Sequence, residues 1–235
     1  RITGRPGVVN VSTGPGGTNA LTGLAGVWID SIPMLVISGQ IMRKDRGPKH
    51  GLRQMGVQEI DTISVAKPLT KYAVTVEDPN LIKYHLDKAL HYSTSGKPGP
   101  VWIELPLDVQ SSFINSKRLK SFKVKKEKKK KPIKHFENSI KLINSSKKPL
   151  IICGYGIRSS NAVSNLKKLI NKTKIPLCPS WNTIDVMNSK SDLVVGRAGL
   201  FGDRASNYAV QKSDLLIILG SRLSTAQIGY MDDLY

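Results

Sequence analysis

The run Gly14-Pro15-Gly16-Gly17-Thr18-Asn19 carries residue types suited to holding a ligand rather than to acid–base work. It follows directly on the apolar stretch Val8-Val9-Asn10-Val11-Ser12. A buried strand that breaks on glycines and restarts as a helix brings backbone N–H groups close to whatever docks there. A side chain at Gly14 or Gly16 would block that approach. Gly39, Gly154 and Gly220 end other apolar runs in the same way.

The titratable residues offer less. Cys153 and Cys178 lie in separate apolar runs and read as small buried residues, not as a disulfide or a metal site. His50, His85, His91 and His135 are scattered without ligand spacing, so no zinc site and no metal ligand is expected. His85 and His91 fall on a polar helical stretch and read as solvated. Glu59 reads as a helix opener rather than an acid, and Asn19 as a helix N-cap. Gly202-Asp203-Arg204 reads as a turn leading into an exposed helix start. No catalytic side chain stands out.

The elements that must position these residues alternate. In the first block, Val8–Ser12, Pro33–Ser38, Tyr72–Val76 and Val101–Leu105 read as strands. Asn19–Ile29 and Pro79–Ser93 read as helices, the second with Asp78 as cap and Pro79 in its first turn. The second block repeats the pattern. Leu150–Cys153, Pro176–Pro179 and Asp214–Leu219 read as strands. His135–Asn144, a stretch capped by Ser159 or Ser160 and running to Lys172, and Ala205–Gln211 read as helices. The expected fold is α/β: two consecutive parallel-sheet three-layer sandwich domains, both incomplete. Their expected limits are 1–110 and 136–235, joined by a lysine-rich linker over 111–135. Ligands in such folds sit beyond the carboxyl ends of the strands, where all four strand-ending glycines fall.

Composition bounds the function. The chain has 235 residues, 40% of them hydrophobic, which is enough for two modest cores. The net charge of +19 suggests nucleic acid, but residues 111–150 alone carry 14 Lys and Arg against two acids. That segment has few aromatics to stack on bases and no recognition helix after it, so it reads as a solvated linker and no specific nucleic-acid partner is expected. No apolar run reaches membrane-span length and no secretory signal is visible, so the expected location is cytoplasmic, with no membrane partner.

Read in order, Gly14-Pro15-Gly16-Gly17-Thr18-Asn19, Asp30-Ser31-Ile32-Pro33, Ser38-Gly39-Gln40, Val57-Gln58-Glu59 and Lys97-Pro98-Gly99-Pro100-Val101 through Pro106-Leu107-Asp108-Val109-Gln110 form a series. In order and spacing they resemble the pyrimidine-binding domain of thiamine-diphosphate enzymes of the acetolactate synthase type. Gly154-Tyr155-Gly156, Gly196-Arg197-Ala198-Gly199, Asn207-Tyr208-Ala209-Val210 and Asp214 through Arg222 resemble that family's central domain.

The resemblance implies a carboligase or decarboxylase in which thiamine diphosphate attacks a 2-keto acid and, after CO2 is lost, a second carbonyl compound. It implies a cofactor site at Gly14, Pro15, Gly16, Asn19 and Gln58, with Gln58 reaching across the interface of a homo-oligomer, at least a dimer. It places the catalytic glutamate upstream of Arg1, and the diphosphate and Mg²⁺ site in a further domain. It also raises FAD, at Gly154, Gly156, Gly220 and Arg222. Three departures bear on FAD: Ala198 stands for a His, Lys97 for an Arg, and Ser224-Thr225-Ala226 for an acidic loop. Val57 stands where acetolactate synthases carry a Phe, which alters the size of the pocket. Two other readings stay open at this point, a noncatalytic nucleotide-binding module for FAD or ADP and a basic nucleic-acid-associated protein.

Overall fold

The computed structural model describes residues 2–124 and 136–229. It divides into two compact units, Arg1–Lys128 and Lys129–Tyr235. The run Lys125–Lys131 and the expected helix start at His135 lie outside the described residues.

Unit 1 is built from β1 (Gly7–Val11), α1 (Pro15–Asn19), α2 (Leu21–Ile29), β2 (Met34–Gln40), α3 (Thr62–Ala66), β3 (Tyr72–Thr75), α4 (Ile82–Thr94), β4 (Pro100–Pro106) and α5 (Leu107–Gln110). All four strands are parallel, in the order β1-β2-β4-β3. The central strands β2 and β4 are continuous apolar runs because both faces are covered. On one face Val36 and Trp102 pack with Leu24 of α2 and Ala66 of α3. On the other, Leu35, Val101 and Ile103 pack with Ala89 of α4. The indole Nε1 of Trp102 is kept from being an orphan donor by a 2.8 Å bond to Ser38 Oγ.

Unit 2 follows with α6 (Phe136–Ser145), β5 (Pro149–Cys153), α7 (Gly156–Ser159), α8 (Val163–Thr173), β6 (Leu177–Pro179), α9 (Arg204–Lys212), β7 (Leu215–Leu219) and α10 (Thr225–Ile228). Its three parallel strands run in the order β6-β5-β7. Ile151 and Cys153 face Leu166 and Ile170 of α8, while Leu150, Ile152 and Cys178 face Val210 of α9. The α/β expectation of two parallel sheets covered by helices is met. Cys153 and Cys178 are free and buried on adjacent strands but opposite faces of the sheet, so their thiols cannot meet.

Several local expectations need correction. Helix begins at Pro15 with Gly14 as its N-cap, and Asn19 is the last residue of α1 rather than a cap. Asp61, not Glu59, opens α3, accepting the Ser64 N–H at 3.0 Å. Ser159 and Ser160 do not cap α8. Their hydroxyls donate to Gly156 O at 3.2 and 2.7 Å and close α7 instead, leaving Ala162 at the α8 N-cap. Asp78 does cap as expected, accepting from Asn80 N at 2.9 Å.

The histidines of α4 are not simply solvated. Residues 84, 85, 88 and 92 recur at helical spacing around Tyr72 of β3, and His91 packs beside Tyr92. His85 Nδ1 lies 2.6 Å from Tyr72 Oη, and the Lys88 ammonium sits 4.6 Å above the Tyr72 ring. Burial, with the Lys88 charge, lowers the His85 pKa. Burial, with Tyr84 and Tyr92 alongside, pushes Tyr72 up to about 12. Phe122, in the segment expected to be linker, packs on Tyr84, His91 and Tyr92. Apolar contact area, invisible in a lysine-dominated composition, holds that stretch to α4.

Candidate functional site

Parallel pairing puts the carboxyl ends of β1, β2, β3 and β4 at one edge of unit 1. The turn after β1 and the long segment between β2 and α3 meet there. Gly14 has φ 58°, a conformation a side chain resists. A Cβ on Gly14 would stand 2.0 Å from the Gln58 carbonyl oxygen. One on Gly16 would stand 2.3 Å from Ser12 Oγ, and one on Gly17 2.9 Å from Thr62 Cγ2. Gly14, whose neighbour is backbone, is thus required by the chain itself, while Gly16 and Gly17 face only side chains. The main-chain approach that the sequence reading assigned to a ligand is made by Gln58.

Gln58 in turn has φ 59°, uncommon for a residue with a side chain, and is exposed. Two anchors hold it. On one side the Glu59 carboxylate accepts N–H bonds from Gly47 at 2.8 Å, Met55 at 2.9 Å and Gly56 at 3.2 Å. Burial alone would raise the Glu59 pKa, but these backbone donors and the Arg46 charge outweigh it and hold the carboxyl below its ordinary 4.5. On the other side Gln40, 7% exposed, uses every hydrogen-bonding position of its amide. Its oxygen accepts from Thr13 Oγ1 at 2.9 Å and Ile41 N at 3.0 Å. Its nitrogen donates to Ile60 O at 2.9 Å and Glu104 Oε2 at 3.2 Å. Glu104, 3% exposed, also accepts from Thr75 Oγ1 at 2.9 Å. Burial raises its pKa, opposed by those two hydrogen bonds.

Arg43 and Arg46 fasten the same segment from above. Arg43 Nε pairs with Asp108 Oδ2 at 2.6 Å and its Nη1 donates to Glu77 O. Arg46 Nη1 pairs with Glu77 Oε1 at 2.6 Å, while its Nε and Nη2 are buried without a protein partner. Pro15 and Asn19 are exposed on α1, and Val57 is 83% exposed beside Gln58. The structure therefore brings Gly14 and Gln58 into contact and leaves Pro15 and Asn19 at the surface. Sequence reasoning carried Gln40 only as part of the Ser38-Gly39-Gln40 motif, with no role of its own, and missed Glu104 and Arg46. The visible signal of Glu104 was a polar residue near the end of an otherwise apolar strand.

In unit 2 the chain crosses from β6 over β5 to β7, and such reversals mark binding crevices in open sheets. Gly154, Gly156 and Gly220 do converge there, on each other. Gly154 N donates to Leu219 O and Gly156 N to Gly220 O, both at 2.9 Å. A Cβ on Gly154 would meet Gly220 O at 2.5 Å, and one on Gly220 the Ile157 nitrogen at 2.6 Å. Arg222 is exposed. The Gly196–Gly199 loop is held from α9: Arg197 N donates to Asp203 Oδ2 at 2.8 Å, and Gly199 exchanges two bonds with the Asn207 amide. Asp203 is thereby occupied at the α9 N-cap position. Among the described residues no group of three His, Cys, Asp or Glu side chains could hold a metal ion, and no helix is long and apolar enough to cross a membrane.

Comparison with known proteins resolves the family. Residues 1–65 match the thiamine pyrophosphate enzyme N-terminal TPP binding domain, and residues 136–234 the thiamine pyrophosphate enzyme central domain. The chain belongs to the thiamine pyrophosphate enzyme family. It is 30% identical over 229 residues to the acetolactate synthase isozyme 1 large subunit of Escherichia coli K12, covering 97% of this chain and 39% of that protein. It is 33% identical over 224 residues to the acetolactate synthase large subunit of Lactococcus lactis, covering 94% and 38%. It is 31% identical over 242 residues to the mitochondrial acetolactate synthase of Schizosaccharomyces pombe, covering 97% and 35%. The chain spans about two fifths of the length of the curated relatives it matches.

Two outcomes follow from the geometry of unit 1. Gly14→Ala combines a left-handed backbone with a 2.0 Å clash against main chain. It should cost more than about 2 kcal/mol in denaturant unfolding, and a loss within about 0.5 kcal/mol would show that the junction yields freely. Glu59 has a folded pKa below its unfolded one, so its contribution is complete above pH 4.5 and is lost as pH falls through the folded value. Amide exchange at Met55 and Gly56 should accelerate, relative to its intrinsic rate, only over that acid range. Glu59→Gln should abolish the pH dependence, and an unchanged profile in that variant would contradict the anchor.

Proposed function

We propose that this chain forms part of a thiamine-diphosphate-dependent carboligase or decarboxylase acting on 2-keto acids, similar to acetolactate synthase. The observation that supports it most is the ordered match of both units to thiamine pyrophosphate enzyme domains, with 30–33% identity to acetolactate synthase large subunits over 94% or more of the chain. In this reading residues 1–110 are the pyrimidine-binding domain and 136–235 the central domain. The assembly is a homo-oligomer, at least a dimer, and its location the cytoplasm.

Bound thiamine diphosphate would supply a carbanion for attack on a keto carbon and an electron sink for the bonding pair left behind as CO2 departs. This chain's residues place and shield. The glycine turn acts indirectly in this reading: the bare Cα of Gly14 lets the Gln58 main chain seat against it, with Pro15 exposed alongside. Gln58, exposed and held in an uncommon backbone conformation, offers an amide that can donate and accept beside the cofactor's ring. Its preorganisation is the kind of cost a binding site bears in advance. Val57, small and exposed, widens the approach relative to a Phe. Mg²⁺ is assigned no ligand in this chain. FAD fits less well: Gly154, Gly156 and Gly220 are closed on one another, so a Cβ on any of the three would meet backbone of the facing turn, although Gly220 and Arg222 are exposed. FAD enters no step of this reading.

The test is turnover of the full-length protein with pyruvate as the probe. CO2 release should vanish when thiamine diphosphate and Mg²⁺ are removed and return when both are restored. Gln58→Ala should lower kcat by about 10- to 100-fold while the protein still folds. Failure to bind thiamine diphosphate would overturn the reading. Tight FAD or ADP binding without turnover would favour a nucleotide-binding module instead.

A further inference from the structure

The buried Gln40–Glu104 pair is not required by the sheet, whose backbone ladder would form with apolar residues at both positions. Burying an amide and a carboxyl group together is costly unless every polar atom is satisfied. Here the Gln40 amide is saturated, and its partners are informative. Thr13 directly precedes Gly14, and Ile60 lies two residues beyond Gln58. One side chain therefore ties together the two segments whose main chains touch at the Gly14–Gln58 junction. The Ile41 N–H and the Ile60 carbonyl, whose roles cannot switch, fix which way the amide points. Glu104 on the neighbouring strand, when ionised, reinforces it by accepting from the Gln40 nitrogen while the Gln40 oxygen faces Thr13. Thr75 Oγ1, from the edge strand β3, holds the other carboxyl oxygen.

We propose that Gln40, supported by Glu104, is a positioning residue that sets where Gln58 stands relative to the glycine turn, and through it the fit of the cofactor's ring. This rests on the thiamine-diphosphate reading of the site. Gln40 touches neither substrate nor cofactor. Its effect on turnover passes through the Thr13–Gly14 turn and the Gln58–Ile60 segment, so it should be felt only while the Gln58 side chain is there to be placed.

The experiment is a double-mutant cycle in the full-length protein, with thiamine diphosphate affinity, kcat and KM for pyruvate measured on each form. Gln40→Met keeps the volume and removes the hydrogen bonds. It should lower kcat by about tenfold or more and change the pyruvate KM less than about twofold. In a Gln58→Ala background the same change should cost no more than about twofold further. Thr13→Val, which deletes a single bond of the node, should show the same non-additivity at smaller size and serves if Gln40→Met does not fold. A purely structural role would lower stability and give losses in kcat that multiply. Multiplying losses, or an unchanged kcat in both Gln40→Met and Thr13→Val, would overturn the proposal while leaving cofactor binding by the unmodified protein intact. An unmodified protein that binds no thiamine diphosphate would overturn the reading of the site and this proposal with it.

Discussion

The contact between the bare Cα of Gly14 and the carbonyl of Gln58 is the constraint on which the carboxyl edge of unit 1 depends. A methyl group at Gly14 would fall 2.0 Å from that oxygen, so both residues accept left-handed backbone to make the approach. Glycine takes that conformation freely, but at Gln58 it is costly and would not persist in isolation. It persists because the segment carrying Gln58 is held at both ends, by Glu59 gathering three backbone N–H groups and by Gln40 holding Ile60. The ends of β2 and β4 supply Gln40 and Glu104, so the sheet core and the edge loops are parts of one hydrogen-bonded structure.

Much of the fold was legible because its signals are local. Apolar runs, most of them bounded by Gly or Pro, marked the strands to within a residue or two; β3, flanked by Lys71 and Val76, is the exception to the punctuation. Asp78 followed by Pro79 marked the start of the helix that became α4. The misses have one cause, competition between equally plausible local partners. Asn19 has the chemistry of an N-cap, but Pro15 starts helix four residues earlier. Ser159 and Ser160 have capping hydroxyls, but a carbonyl of their own turn lies nearer than the α8 amides. His85, His91 and Phe122 look solvated one at a time and become a cluster only once β3 and α4 are stacked.

The site divides in the same way. The motif order that carries the family resemblance is a linear pattern, and it holds through both units. For Gly14 and Gly154 the structure supplies a neighbour from within the chain. A glycine states that something approaches its backbone without saying what. At Gly14 that neighbour is a carbonyl 44 residues away in the chain, and at Gly154 it is the Gly220 turn. Gln40 was visible as part of a motif, but neither its role nor that of Glu104 could be recognised, since a polar residue near a strand end reads as solvent-facing until the neighbouring strand is in register. The strained φ of Gln58 is purely a tertiary property, and no sequence signal announces it.

The most direct test of this account is hydrogen–deuterium exchange on the full-length protein with and without thiamine diphosphate and Mg²⁺. The account predicts that peptides spanning residues 13–19 and 54–62 gain protection together, as two sides of one junction closing on a single ligand. Unchanged exchange in both segments on saturation with the cofactor, or slowing in one without the other, would contradict it.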